Sequence, residues 1–129
     1  MAGKSFKIAL NPTFKKVVNI PRIDGGVLEV PFTFKVFDRK GLAKIYSKWA
    51  KQNEEMVKVG QEENWELETW AEKEIELQVD QVKDIVAGWG FDEQFNDENI
   101  EALVSTLTSV TNTIQDAYNE AYTKARSGN

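Results

Sequence analysis

Carboxylates are the residues whose spacing comes nearest to a catalytic or metal-binding pattern. Glu62 and Glu66, Glu68 and Glu72, and Glu72 and Glu76 each stand four apart, so each pair shares a face if the segment is helical. Paired carboxylates can divide acid and base roles or hold a hard cation, and Trp65 and Trp70 beside them suggest the wall of a sugar cleft. Neither chemistry finds its remaining parts. No other stretch supplies convergent oxygen ligands, and no spacing marks a glycosidic pair. From Asp92 the chain offers Asp92, Gln94 and Asn96 at the first, third and fifth places of a calcium loop. Asp97 then stands where glycine must turn the chain, and Leu103 where a bidentate Glu must close the shell. Gly88-Trp89-Gly90 is too short to cradle a phosphate, and no GxxxxGK[ST] run occurs. The 129 residues contain no His and no Cys, which removes the usual general base, the thiol nucleophile and the thiolate metal site. We expect no catalytic residue, no metal and no cofactor: a chain that binds rather than reacts.

The residues left as candidates are therefore residues for contact. Lys40, Lys44, Lys48 and Lys51 recur through one basic segment, and the four tryptophans, Trp65, Trp70 and Trp89 among them, are more than a core of this size requires. Exposed tryptophan is a favoured anchor for a protein partner. The net charge of −5 conceals a division. Residues 1–58 carry twelve Lys/Arg and five Asp/Glu, a net of +7, whereas residues 59–129 carry four and sixteen, a net of −12. Opposite poles on one small molecule favour contact between like subunits, with lysines of the first helix facing carboxylates of a neighbour's second helix. Such assembly would weaken with salt. The basic half, interleaved with Phe and Trp, also allows a nucleic-acid adaptor as the alternative reading, which a gel shift at low salt separates from the first. No run approaches the ~18 apolar residues of a membrane span, and no apolar stretch follows the first charges as in a signal peptide.

The elements that must position these residues follow from periodicity. Residues 1–37 read as strands. Phe6, Ile8 and Leu10 alternate before Asn11-Pro12; Phe14, Val18 and Ile20 share a face on which Lys16 is the exception; and Leu28, Val30, Phe32, Phe34 and Val36 alternate cleanly. Asp24-Gly25-Gly26 supplies a tight turn with positive-φ residues, and Pro31 predicts an edge strand or a bulge. Residues 38–126 read as helical. Asp38 caps a first helix that Gly60 stops; a second runs from about Glu62 to Ala87, ended by Gly88-Trp89-Gly90; and Asn96 or Asp97 caps a third, striped by Ile100, Leu103, Leu107, Val110, Ile114, Ala117, Tyr118 and Ala121. Arg126-Ser127-Gly128-Asn129 reads as a frayed tail. The expected class is α+β, a small N-terminal antiparallel sheet followed by three long helices, in one domain over residues 1–129.

The segment Val86-Ala87-Gly88-Trp89, the acidic loop with Phe95, the run Asn96-Asp97-Glu98-Asn99-Ile100-Glu101-Ala102-Leu103 and the later Ile114-Gln115-Asp116-Ala117-Tyr118 together resemble a known family. They are similar to the tail assembly chaperones of long-tailed, lambda-like bacteriophages, and the strand-rich opening and basic first helix fit the same pattern. The resemblance implies a non-enzymatic protein of the host bacterial cytoplasm, absent from the mature virion. It implies binding to the long, aggregation-prone tape measure protein, recruitment of tail tube protein, and a homo-oligomeric habit. It implies no nucleic acid and no membrane as partner.

Overall fold

A computed structural model describes Ile8 and residues 12–127, with side chains described as far as Lys124. The strand expected at Phe6, Ile8 and Leu10 lies, but for Ile8, outside the described residues. Strands β1 (Thr13–Pro21) and β2 (Val27–Lys35) form an antiparallel hairpin with Val17 opposite Pro31 and Phe14 opposite Phe34. At its turn the Gly26 amide donates to Asp24 Oδ1 at 2.9 Å. Only Gly25 is left-handed, at φ +89°, so the turn requires one positive-φ residue and not two. As the alternation predicts, Val18, Ile20, Phe32 and Phe34 face inward and are buried. Lys16 shares that face and reaches out past the sheet to Glu120, 3.7 Å away, which is how a charge fits into an apolar row.

Pro31 corrects an expectation. The sheet order is β1-β2-β3, so Pro31 lies in the central strand rather than at an edge. The strand tolerates it because β3 (Val86–Trp89) is short and pairs only with Phe32 to Phe34. Beyond that short strand the carbonyl of Pro31 accepts from the Gly90 amide at 2.8 Å, and no ladder bond asks for the missing N–H. The one irregularity falls between Thr33 and Phe34, where Ala87 is left without a cross-strand partner.

Four helices follow among the described residues, where three were expected. Helix α1 (Arg39–Glu62) is capped by Asp38, whose Oδ1 accepts from the Gly41 amide at 2.8 Å. It runs through Gly60 instead of stopping there. Helix α2 (Leu67–Ile85) begins after a turn in which Asn64 is left-handed at φ 54°, so Trp65 lies in the turn and not in the helix. The same helix ends before Val86, because the chain passes directly into β3. Gly88-Trp89 thus belongs to the sheet rather than to a helix stop.

The third apolar stripe is divided. Helix α3 (Asp97–Val104), capped by Asn96, is followed by α4 (Ser109–Ser127). Between them the Ser105 and Thr106 hydroxyls donate to the Glu101 and Leu103 carbonyls at 2.6 and 2.7 Å, a local alternative to the helical ladder. Arg126 and Ser127 belong to α4, while Gly128 and Asn129 lie outside the described residues. The class is α+β as expected.

The core lies between the inner face of the sheet and α2, α3 and α4, filled by Phe32, Phe34, Ile85, Ile100, Ile114 and Tyr118. Beside it Gln115 Nε2 donates to the buried Gln81 across α2 and α4 at 3.0 Å. Tyr118 is 1% exposed, donates to the Lys35 carbonyl at 2.9 Å and meets the Tyr122 hydroxyl at 3.1 Å. Burial, reinforced by the hydrogen bond with Tyr122, holds its phenol well above the usual tyrosine range. The folded state therefore keeps a proton that the unfolded chain gives up near pH ~10, so stability is full below that pH and is lost as pH rises above it. Tyr118→Phe should cost about 1 kcal/mol at neutral pH from the lost hydrogen bond, yet flatten the alkaline decline. Urea midpoints measured from pH 7 to 11 in both proteins check this.

Candidate functional site

Helices α1 and α2 run antiparallel, and the first half of α1 is tied to the rest of the protein. Leu42, Ile45, Tyr46 and Trp49 pack against the core, and the Tyr46 hydroxyl donates to Asn119 of α4. Partial burial, with a smaller contribution from Tyr122, raises the Tyr46 phenol above its ordinary range. Asp84 joins the two helices. Its carboxylate accepts from Lys48 Nζ at 2.9 Å and from Trp49 Nε1 at 2.8 Å. Ile75 and Val79 of α2 also reach the core.

Farther out the two helices have mainly each other. Met56, Val59, Trp65, Trp70 and Leu77 are only half-buried and have no part in the main core, while Val57 and Leu67 are exposed. This is the pattern of a projecting two-helix arm, whose apolar surface two helices cannot bury alone. Its end is locked by tryptophan. The rings of Trp65 and Trp70 meet edge to face with centroids 5.0 Å apart, and they close over Gly60. A Cβ at residue 60 would lie 2.3 Å from Trp70 Cη2 and 2.8 Å from Trp65 Cε3. Gly60 is therefore a seat for the two indoles and not a helix terminator.

Along one side of the arm runs an open groove of about 530 Å³ floored by Met56, Val59, Trp65 and Leu77, with Lys51, Glu55, Lys73, Glu76 and Asp80 at its lips. A second depression of about 540 Å³, lined by Ala43, Lys44, Ser47 and Lys48, lies toward the base, the two sharing Lys51 and Gln52. The Oε1 of Gln52 is buried there without a hydrogen-bond partner among the described residues. From residue 39 to 51 the arm carries five Lys/Arg and no carboxylate, and from 54 to 76 it carries nine Glu and two Lys. The base is basic and the outer part strongly acidic.

The seven sequence candidates separate accordingly. Lys40, Lys44, Lys48 and Lys51 all lie on α1, and Trp65 and Trp70 meet at the arm's end. Lys48 is engaged by Asp84 of its own chain, which leaves Lys40, Lys44 and Lys51 without an ion pair among the described residues. Trp89 is not part of this surface. It stands in β3, edge to face with Phe32, Phe91 and Phe95, and donates from Nε1 to the Glu93 carbonyl at 2.8 Å, so it braces the loop after the strand.

Leu77 was not among the candidates. In the sequence Ile75, Val79, Val82, Val86 and Trp89 recur at intervals of 4, 3, 4 and 3, and Leu77 falls outside that stripe, which is the signal of a second apolar face. A further apolar surface lies on the hairpin, where Val17, Ile23 and Val27 are 55%, 88% and 59% exposed. Among the described residues no three carboxylates converge to hold a metal, and no helix is long and apolar enough to cross a membrane.

A sheet-and-helix body that extends an apolar, charge-polarised two-helix arm has the surfaces of a protein-binding module. Over residues 1–129 the chain matches the family model described as phage tail assembly chaperone, and it belongs to that family. No curated protein and no solved structure matches it.

Proposed function

We propose that this chaperone holds the tape measure protein in solution during tail assembly by seating an amphipathic helix of that client in the arm groove. The half-buried Met56, Val59, Trp65 and Leu77, left over after the arm's own pairing, are the observation that carries this reading. An aggregation-prone helix exposes an apolar stripe, and a groove of this kind covers such a stripe by non-directional burial that tolerates sequence variation. The exposed Val17, Ile23 and Val27 of the hairpin give a separate surface for recruiting tail tube subunits, so that one molecule bridges client and tube. The work is done in the host cytoplasm by contact and self-association, without bond making, and the protein is released before the virion is complete.

Co-expression with a tape measure fragment tests the reading. Met56→Glu and Leu77→Glu place a charge on the groove floor while leaving the core untouched. Each buried apolar side chain contributes about 1.5–3 kcal/mol, so either substitution should cut client affinity by about tenfold or more. The soluble fraction of the fragment should fall with it, while the circular dichroism of the chaperone stays unchanged. A fragment kept soluble equally well by both variants contradicts the proposal.

A further inference from the structure

We infer that the outer edge of β1 binds a partner protein by strand addition: an extended segment bearing carboxylates pairs with the main chain of Thr13 to Asn19 and extends the sheet. The inference rests on the hairpin being the surface that recruits tube subunits, and it adds how such a subunit is held. The register of the hairpin is the starting point. The Val36 amide donates to the Pro12 carbonyl at 3.0 Å and the Arg22 amide to the Gly26 carbonyl at 2.9 Å. Between these two bonds the register is unbroken, so the even-numbered residues of β1 exchange hydrogen bonds with β2. The odd-numbered residues turn their N–H and C=O the other way. Pro31, opposite Val17, fits the same parity, because its carbonyl points away from β1 to the Gly90 amide. β1 is the outermost strand, and among the described residues nothing hydrogen-bonds to the main chain of Thr13, Lys15, Val17 or Asn19. All four are exposed.

Edge strands are usually blunted by a bulge, a proline or a charge. β1 has no bulge, and its one proline, Pro21, stands at the end, where the missing N–H closes the edge after Asn19. The open stretch from Thr13 to Asn19 is about 23 Å long at about 3.3 Å per residue. Along it, donors and acceptors recur every second residue, a spacing that an extended polypeptide matches and a helix does not. Charge decides which extended polypeptide. From Thr13 to Arg22 the chain carries Lys15, Lys16 and Arg22 and no carboxylate. Lys16 has Glu120 at 3.7 Å, whereas Lys15 has no ion pair among the described residues. A second copy's β1 laid on this edge would bring lysine against lysine, which is destabilising across a strand pair. Residues 1–11, with Lys4 and Lys7 and no carboxylate, have the wrong charge for the same reason. A strand with carboxylates at alternate positions meets Lys15 with opposite charge, so the occupant is an acidic segment of another protein.

Amide hydrogen exchange of the full chain with two capped synthetic peptides of about nine residues, one alternating Val and Glu and one alternating Val and Lys, tests this. With the Val-Glu peptide, exchange across residues 13–19 should slow by about tenfold or more, and with the Val-Lys peptide it should not change. Val17→Pro removes the central outward N–H without touching the ladder to β2, and should weaken Val-Glu binding by about tenfold or more. Val17→Thr keeps that N–H and should bind as the parent does. Lys15→Glu leaves every main-chain group in place and should reverse the preference between the two peptides, which decides the matter if Val17→Pro lowers the urea midpoint. Unchanged exchange at residues 13–19, an unreversed preference in Lys15→Glu, or equal losses in Val17→Pro and Val17→Thr overturns the inference. Binding of tail tube subunits is scored on the same proteins. An edge that takes the Val-Glu peptide while tube subunits ignore the protein removes the tube reading alone. Tube subunits that bind without slowing exchange at residues 13–19 remove the added strand alone.

Discussion

Phe34→Ala lowers the unfolding free energy by about 3–5 kcal/mol, a large share of the roughly 5–15 kcal/mol that holds a domain together. Phe34 is 0% exposed at the middle of the sheet, opposite Phe14 on one side and Val86 on the other. Its ring lies 5.4 Å from Phe14, 6.0 Å from Phe32 and 5.3 Å from Tyr118. Removing it deletes one aromatic side chain and leaves three others facing a void that the pleated backbone cannot close. The Tyr118 hydroxyl, held to the Lys35 carbonyl next door, loses its support as well. In a urea titration the midpoint should fall with little change in slope. A shift corresponding to less than about 1 kcal/mol would mean that the sheet and α4 are not packed through this ring.

Gly60→Ala is the second large effect, and its sign is the test. An ordinary glycine inside a helix gains about 0.5–1 kcal/mol on becoming alanine. Here the new methyl would lie 2.3 and 2.5 Å from two ring carbons of Trp70 and 2.8 Å from Trp65, distances no side chain tolerates. One indole must leave, and overpacking of this kind costs about 1–3 kcal/mol. The loss should be local, because the outer arm has no part in the main core. Near-ultraviolet circular dichroism from the Trp65–Trp70 pair should collapse at temperatures where the far-ultraviolet signal is retained. Client solubilisation should decline too, since Trp65 forms the end of the groove. A variant more stable than the parent, with its aromatic signal intact, would show that the two indoles do not close over the helix.

Much of this was legible in the residues. The alternation of Val30, Phe32 and Phe34 and the caps at Asp38 and Asn96 act through neighbours in sequence, and each appears where expected. What escaped depends on contacts distant in sequence. Gly60 has the composition of a helix stop but the position of a seat for Trp65 and Trp70, which only the returning α2 brings over it. Val86 to Trp89 continues a helical spacing but is drawn into extended form by β2, some fifty residues earlier. Ser105 and Thr106 break an uninterrupted apolar stripe through hydroxyl bonds that periodicity does not register. The same holds for the site: the charges and tryptophans of the arm could be named from spacing, but spacing could not separate Trp89, a brace within the body, from the pair on the arm. Nor could it show that Lys48 is spent on Asp84.

The account stands on the groove between α1 and α2 as the place where another helix is held. Amide hydrogen exchange of the chaperone with and without a tape measure fragment examines that groove most directly. Slowed exchange should concentrate in residues 51–65 and 73–80, with the hairpin from Thr13 to Lys35 unchanged. Slowed exchange confined to the hairpin, with the arm exchanging as it does alone, would contradict the account.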